Sequence, residues 1–231
     1  MDEPERSGTL DGDVLDEVKL QAEIDEKKDE HMQAQLDRFK LICAFWSADY
    51  SGFLNLAKET GFDKDAYAKN SPGVFGIGPL AFQIAFSAII MAQETSGIES
   101  KRYKALGGKY LSQIRGWVNK GNPNVVHFES ILEAEMHVLM EENHRAETKF
   151  EVAILMSTSR GFINYEALTH ERYAEFLLKQ NETYKAKENF EKAVKLYEEW
   201  GAGVRASAVA ARYRDKKVSV SAPVEVVGLG P

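Results

Sequence analysis

Cysteine is almost missing from this chain. Cys43 stands alone among 231 residues, which excludes an internal disulfide and a thiolate metal cluster and suits a reducing compartment. A long apolar run is missing too. The longest, Leu80 to Ala92, is interrupted by Gln83 and Ser87, whereas a membrane span takes roughly 20 apolar residues; it reads as a helix buried in a protein core, not as a membrane anchor. Cations are in deficit: 29 Lys and Arg face 36 Asp and Glu, a net charge of −7. That balance argues against a nucleic-acid partner, whose phosphate backbone takes clustered Lys and Arg. The N-terminus has neither the basic flank nor the apolar stretch of a secretory signal, so the expected location is cytoplasmic.

The apparatus of catalysis is also thin. No glycine-rich phosphate loop ending in Lys-Ser/Thr is present, and Gly73, Gly76 and Gly78 follow no strand pattern, so they read as turn glycines. His170-Glu171 begins a zinc-protease pattern, but Ala174 occupies the place of the second histidine. His127-Phe128-Glu129 starts a zinc-deaminase pattern whose cysteine pair a single Cys cannot supply. Glu141-Glu142-Asn143-His144 gives one Glu-x-x-His where a dimetal bundle needs two. No Ser-His-Asp arrangement stands out by spacing. The sequence therefore predicts no enzyme, no metal and no cofactor.

What is present is helix. Residues 1–31 hold twelve Asp or Glu against Arg6, Lys19, Lys27 and Lys28, and residues 1–12 read as a solvated, disordered acidic tail. From Leu15 a three-four spacing runs through Val18, Ala22, Asp25, Asp29, Met32, Leu36, Phe39, Cys43 and Trp46. The two aspartates spoil a coiled-coil seam, and Met32–Trp46 is expected to dock as an amphipathic helix. A helix over 50–59 ends at Gly61, the loop that follows carries Asn70-Ser71-Pro72-Gly73, and Pro79 suits the first turn of the apolar helix. Tyr103, Leu106, Tyr110, Ile114, Trp117 and Val118 stripe a helix over 100–120. Further helices are predicted at 125–142, 144–158, 165–180, 183–199 and 203–214. The organisation that results is divergent helical hairpins over 13–121, two repeats with a capping helix over 122–214, and a flexible tail over 215–231.

The repeats are read from self-similarity. Ala134-Glu135, Ala146, Phe150-Glu151 and Ala153 recur at one constant offset of 40 as Ala174-Glu175, Ala186, Phe190-Glu191 and Ala193. Periods of roughly 20–50 residues mark stacked repeats. The alanines would let paired helix axes approach closely, and the phenylalanines would fill the space between pairs. The fold class expected is all-α, a tetratricopeptide-like α-solenoid of tandem antiparallel helix pairs, although the usual tetratricopeptide period is ~34 residues. By analogy with such repeats, the first helix of each pair would offer a concave face to a protein partner. That face would carry Phe128, Ile131, Glu135 and Val138 in one unit, and Leu168, Glu171, Glu175, Leu178 and Lys179 in the next. It lacks the Lys and Asn pattern that clamps an acidic tail. Arg205, Arg212 and Arg214 of the capping helix are expected to face water, while Val204, Ala208, Val209 and Tyr213 cover the last hairpin.

A family resemblance rests on residues 110–213. Tyr110-Leu111, Trp117-Val118, Asn122-Pro123-Asn124, Leu132-Glu133-Ala134-Glu135, Gly161-Phe162-Ile163 and Glu166-Ala167-Leu168 come in order. Ala193, Leu196-Tyr197, Trp200-Gly201-Ala202 and Ala211-Arg212-Tyr213 follow. The set resembles the helical-repeat region of large signalling ATPases found in multidomain sensor hybrid (histidine) kinases. There the region lies between an ATPase domain and sensor-kinase or cyclase domains. The resemblance implies a non-catalytic interaction or regulatory module in signal transduction, contacting a protein partner or adjoining signalling domains, with Trp200 packing the last hairpin and Gly201 capping it. The family's ATPase and kinase residues have no counterpart in this sequence. Two other readings stay open: a regulatory domain binding a small ligand beside the Leu80–Ala92 helix, and a helical enzyme with an unrecognised site.

Overall fold

A computed structural model describes residues 16–62 and 76–221, and their regular structure is entirely helical. In chain order the helices are α1 Glu17–Lys27, α2 Glu30–Trp46, α3 Tyr50–Glu59, α4 Ile77–Glu94, α5 Gly97–Asn119, α6 Val126–Leu139 (entered through a 3-10 turn, Pro123–Val125), α7 Asn143–Ser159, α8 Ile163–Lys179, α9 Thr183–Glu199 and α10 Gly203–Ser221. The expected acidic tail and the Asn70-Ser71-Pro72-Gly73 turn lie outside the described residues. The chain divides into two compact units, 1–149 and 150–231.

In the first unit the seam predicted from Leu15 onward is broken. Lys28 takes a left-handed conformation (φ 51°), and Asp29 begins a new helix by accepting the Met32 amide at 2.9 Å. An aspartate in a helical seam can satisfy an otherwise orphaned N–H only at a helix start, so the residue that spoils the seam is a cap. Asp16 and Asp49 cap α1 and α3 in the same way. The buried face of α2 is Leu36, Leu41, Ala44 and Phe45. Met32 and Phe39, expected inside, are exposed.

Helix α4 forms the centre of this unit. Every residue from Ala81 to Ile90 is buried. It is the one described helix long and apolar enough to cross a membrane, and 61% of it is buried within the protein. Phe45 meets Phe53, Phe82 and Phe86 edge-on at 5.7–6.1 Å, and Phe82 stacks on Phe128 at 4.6 Å. Such ring geometries add to the burial of apolar area. Helix α5 approaches α4 so closely that a Cβ on Gly107 would sit 2.6 Å from Ile89 Cγ1.

From residue 119 onward the local backbone becomes periodic. Helices α7, α8 and α9 each span 17 residues. Their starts, and that of α10, are evenly spaced at 143, 163, 183 and 203, with three-residue turns between them. Positive φ recurs at Gly121, Glu141, Gly161, Asn181 and Gly201. At each of the five turns the next amide reaches back to the carbonyl five positions earlier: Asn122 to Trp117, Glu142 to His137, Phe162 to Ser157, Glu182 to Leu177 and Ala202 to Tyr197, at 2.8–3.1 Å. These are Schellman closures, one design repeated five times. Each period of the sequence identity thus holds two equal helix-and-turn modules. Non-glycine residues stand at two of the turns, which hides the shorter period from a reading of the sequence.

In the second unit α8 packs along α9, and α9 against α10. Ala153, Ala174, Ala186 and Ala193 are fully buried, as are Ala134 and Ala146 in the first unit. Phe150 stacks on Tyr173 at 5.2 Å and meets Phe176 at 5.8 Å. Phe190 meets Tyr213 of α10 at 4.8 Å. Gly201 takes the left-handed cap as expected, but Trp200 is 37% exposed and Tyr197 is the fully buried ring of the last turn of α9. Helix α10 runs to Ser221, past the predicted start of the flexible tail at 215.

Candidate functional site

The concave face predicted for a partner is largely inside the protein. Phe128, Ile131, Glu135, Leu168 and Glu171 are buried; Val138, Glu175 and Leu178 are half-buried; only Lys179 is fully open. The apolar members belong to the cores of their units. The acidic members are engaged by this chain itself, because a buried carboxylate must be paired or hydrogen-bonded.

Glu135 takes the side-chain amide of Gln93, which donates to its Oε2 at 2.8 Å and to its backbone oxygen at 3.0 Å. Glu171 sits at the centre of a larger network. It accepts the Tyr197 hydroxyl at 2.9 Å and Arg205 Nη2 at 2.8 and 2.9 Å, and Arg212 also binds it. Glu175 accepts Arg172 at 2.5 Å and Arg212 at 3.2 Å. The Arg205 guanidinium lies over the Tyr197 ring, 5.8 Å from its centroid. Arg205 therefore does not face water as expected, and Arg212, still 38% exposed, is drawn to the same carboxylates. Helix α10 turns the face carrying Arg205, Ala206 and Val209 inward, and leaves Val204 90% exposed. Periodicity alone assigns the guanidinium groups to solvent; a carboxylate two helices earlier, on α8, decides otherwise.

Beside this network His170 donates from Nδ1 to Asn189 Oδ1 at 2.7 Å, and Asn189 donates onward to the Lys185 carbonyl at 2.8 Å. Burial lowers the His170 pKa; the Asn189 bond opposes this and nearby Lys192 adds to it. In the first unit Glu133 is pushed up by burial, but hydrogen bonds from Lys149 and Arg115 outweigh that and hold it below its ordinary value. These arrangements hold helices together and present no nucleophile beside a base. His127 is buried, His170 points to Asn189, and His137 meets Glu142 at 2.5 Å. Among the described residues no three His, Cys, Asp or Glu side chains are grouped to hold a metal ion.

The ligand cleft expected beside Leu80–Ala92 has a counterpart elsewhere. A cleft of about 510 Å³ opens where α1, the start of α2 and the end of α3 meet, walled by Asp25, Asp29, Glu30, Asp37 and Phe62. Its aspartates are occupied locally: Asp25 by Gln21, Asp29 by the Met32 amide, Asp37 by Gln33.

One surface escapes a reading of the sequence. The predicted stripe of α5 does turn Tyr110 and Ile114 inward, but its outer face has a character of its own. Between Gly97 and Lys120 six cations, all exposed, face a single acid, Glu99. Arg115 is tied to Glu129 and Glu133 at 3.2 and 2.5 Å. Lys101 begins a line that continues through Ala105, Gly108, Ser112 and Gly116, with Lys104 on one side of it, Arg102 and Lys109 on the other, and Lys120 at the C-cap. A Cβ on Gly108 or Gly116 would meet nothing within 4 Å among the described residues. Each glycine in a helix interior costs ~1 kcal/mol relative to alanine. The packing of the described residues accounts for Gly107 and for neither of the other two. An acidic total charge masks this local excess of cations.

No family model, curated protein or solved structure matches the chain.

Proposed function

We propose that this chain is a non-catalytic helical-repeat module of signal transduction that acts through protein contacts in the cytoplasm. The observation that carries the reading is the series of five identical, evenly spaced Schellman turns from Gly121 to Gly201. Equal helices returned by equal three-residue turns are how a tandem, tetratricopeptide-like array is built, and such arrays serve as extended binding surfaces. The family resemblance of residues 110–213 points the same way and suggests histidine-kinase, ATPase or cyclase domains as partners. The buried carboxylates support the reading as well, since each serves helix packing.

The test is association in trans. The full chain is mixed with purified sensor-kinase, ATPase and cyclase domains of the kind the resemblance implies and followed by analytical ultracentrifugation. A stoichiometric complex with one of them is the expected result. Failure to associate with any, together with nucleotide turnover or metal-dependent activity of the chain alone, would overturn the proposal in favour of an enzyme. Stabilisation by a small molecule in place of association would favour a ligand-binding regulatory domain.

A further inference from the structure

We infer that the outer face of α5 is a docking surface for an acidic helical segment of a protein partner, an inference that rests on the interaction-module reading. The charge is the primary observation. Lys101, Arg102 and Lys104 on the exposed side of α5, and Lys120 at its C-cap, have no ion-pair partner among the described residues. These four like charges on α5 and its cap repel one another and call for anions. Beyond Lys101 the surface is low, because Ala105, Gly108, Ser112 and Gly116 project little or nothing. A helix laid along this face could bring its backbone close and set carboxylates against Lys101, Lys104 and Arg102.

A long polyanion fits less well. A nucleic acid would extend beyond α5 and meet a protein whose net charge is −7, and repulsion would offset the gain from phosphate contacts. A short acidic helix ends where the cations end. The two glycines sharpen the point: nothing among the described residues fills the space above them, and alanine at either position would favour the helix. Their small size matters only if something else comes close.

The test uses the full chain and a synthetic helical peptide of about 21 residues, Glu on one face and Ala on the other, long enough to cover most of α5. The same peptide with Lys in place of Glu and an oligonucleotide of about 20 nucleotides serve as comparators. Calorimetry should show binding of the Glu peptide only. Reversing Lys101, Lys104 and Lys109 to Glu should weaken it at least about 10-fold. Gly108→Leu with Gly116→Leu should weaken it comparably while circular dichroism stays unchanged. In Gly108→Ala the melting temperature should rise as the affinity falls. No binding of the Glu peptide, equal binding of the Lys peptide, or indifference to the charge reversal overturns the proposal, and tighter binding of the oligonucleotide replaces it with a phosphate site. If a signalling domain still associates with the chain while the Glu peptide does not bind, this surface is refuted and the module reading stands. If no domain associates and the chain turns over substrate, the module reading falls whatever the peptide does.

Discussion

The two units of this protein bury different chemistry. The first is centred on α4, a helix of aliphatic and aromatic side chains surrounded by Phe45, Phe53 and Phe128. At the centre of the second, α8 buries Thr169, His170, Glu171 and Arg172 in succession and holds α10 through carboxylate–guanidinium pairs. Apolar burial is indifferent to direction and to the identity of the neighbour, so the first core tolerates changes of shape that keep its volume. A buried ion pair depends on both partners and on their geometry, and loss of one leaves the other as an uncompensated charge. The second unit should therefore be the more specific and the more easily undone by a single polar substitution.

Truncation of one core group in each unit gives the largest contrast. Phe86→Ala should cost ~3–5 kcal/mol through lost transfer energy and an unfilled cavity. Glu171→Ala should cost a similar ~3–5 kcal/mol for another reason, the buried Arg205 losing the carboxylate that offsets its charge. Urea denaturation separates the two. Arg205→Met combined with Glu171→Leu should recover most of the loss, because apolar replacement of both partners removes the stranded charge. No second substitution that merely deletes a neighbour of Phe86 should do so. If the Glu171 and Arg205 losses simply add, the network is not the device that holds α10.

Intermediate effects come from the alanine crossings. Ala153→Leu and Ala193→Leu should each destabilise by ~1–3 kcal/mol, since both positions are fully buried and an added isobutyl group must displace a neighbouring helix. Unchanged urea midpoints would remove close helix approach from the account of the repeat.

The smallest effect is a matter of pH, and in the second unit it centres on His170. In the folded state burial holds the His170 pKa below the ordinary 6.5. The unfolded chain then takes up a proton near 6.5 while the folded ring stays neutral, so protons favour unfolding. The stability associated with this ring is complete above pH 6.5 and is lost as the pH falls from there through the lower folded value. His170→Gln should flatten that slope without altering stability in mildly alkaline buffer. A slope that persists unchanged in the variant would assign it to other groups.

Much of this architecture follows from sequence alone, because helices are specified by contacts within a few residues. The bounds of α3 and α9 match those read from periodicity, and the repeating alanines are buried where self-similarity placed them. The stop at Gly201 is legible for the same reason: a left-handed residue after a helix favours glycine whatever surrounds it. Tertiary structure decided which face each helix turns inward. Helix α2 buries Leu41 and Phe45 and exposes Phe39, though a three-four count admits either set. Most of the supposed partner face of α6 and α8 is buried, and α10 carries two arginines to Glu171 and Glu175. A carboxylate on α8 and a guanidinium on α10 exchange water for each other only once three helices have brought them together, and no local pattern records that pairing.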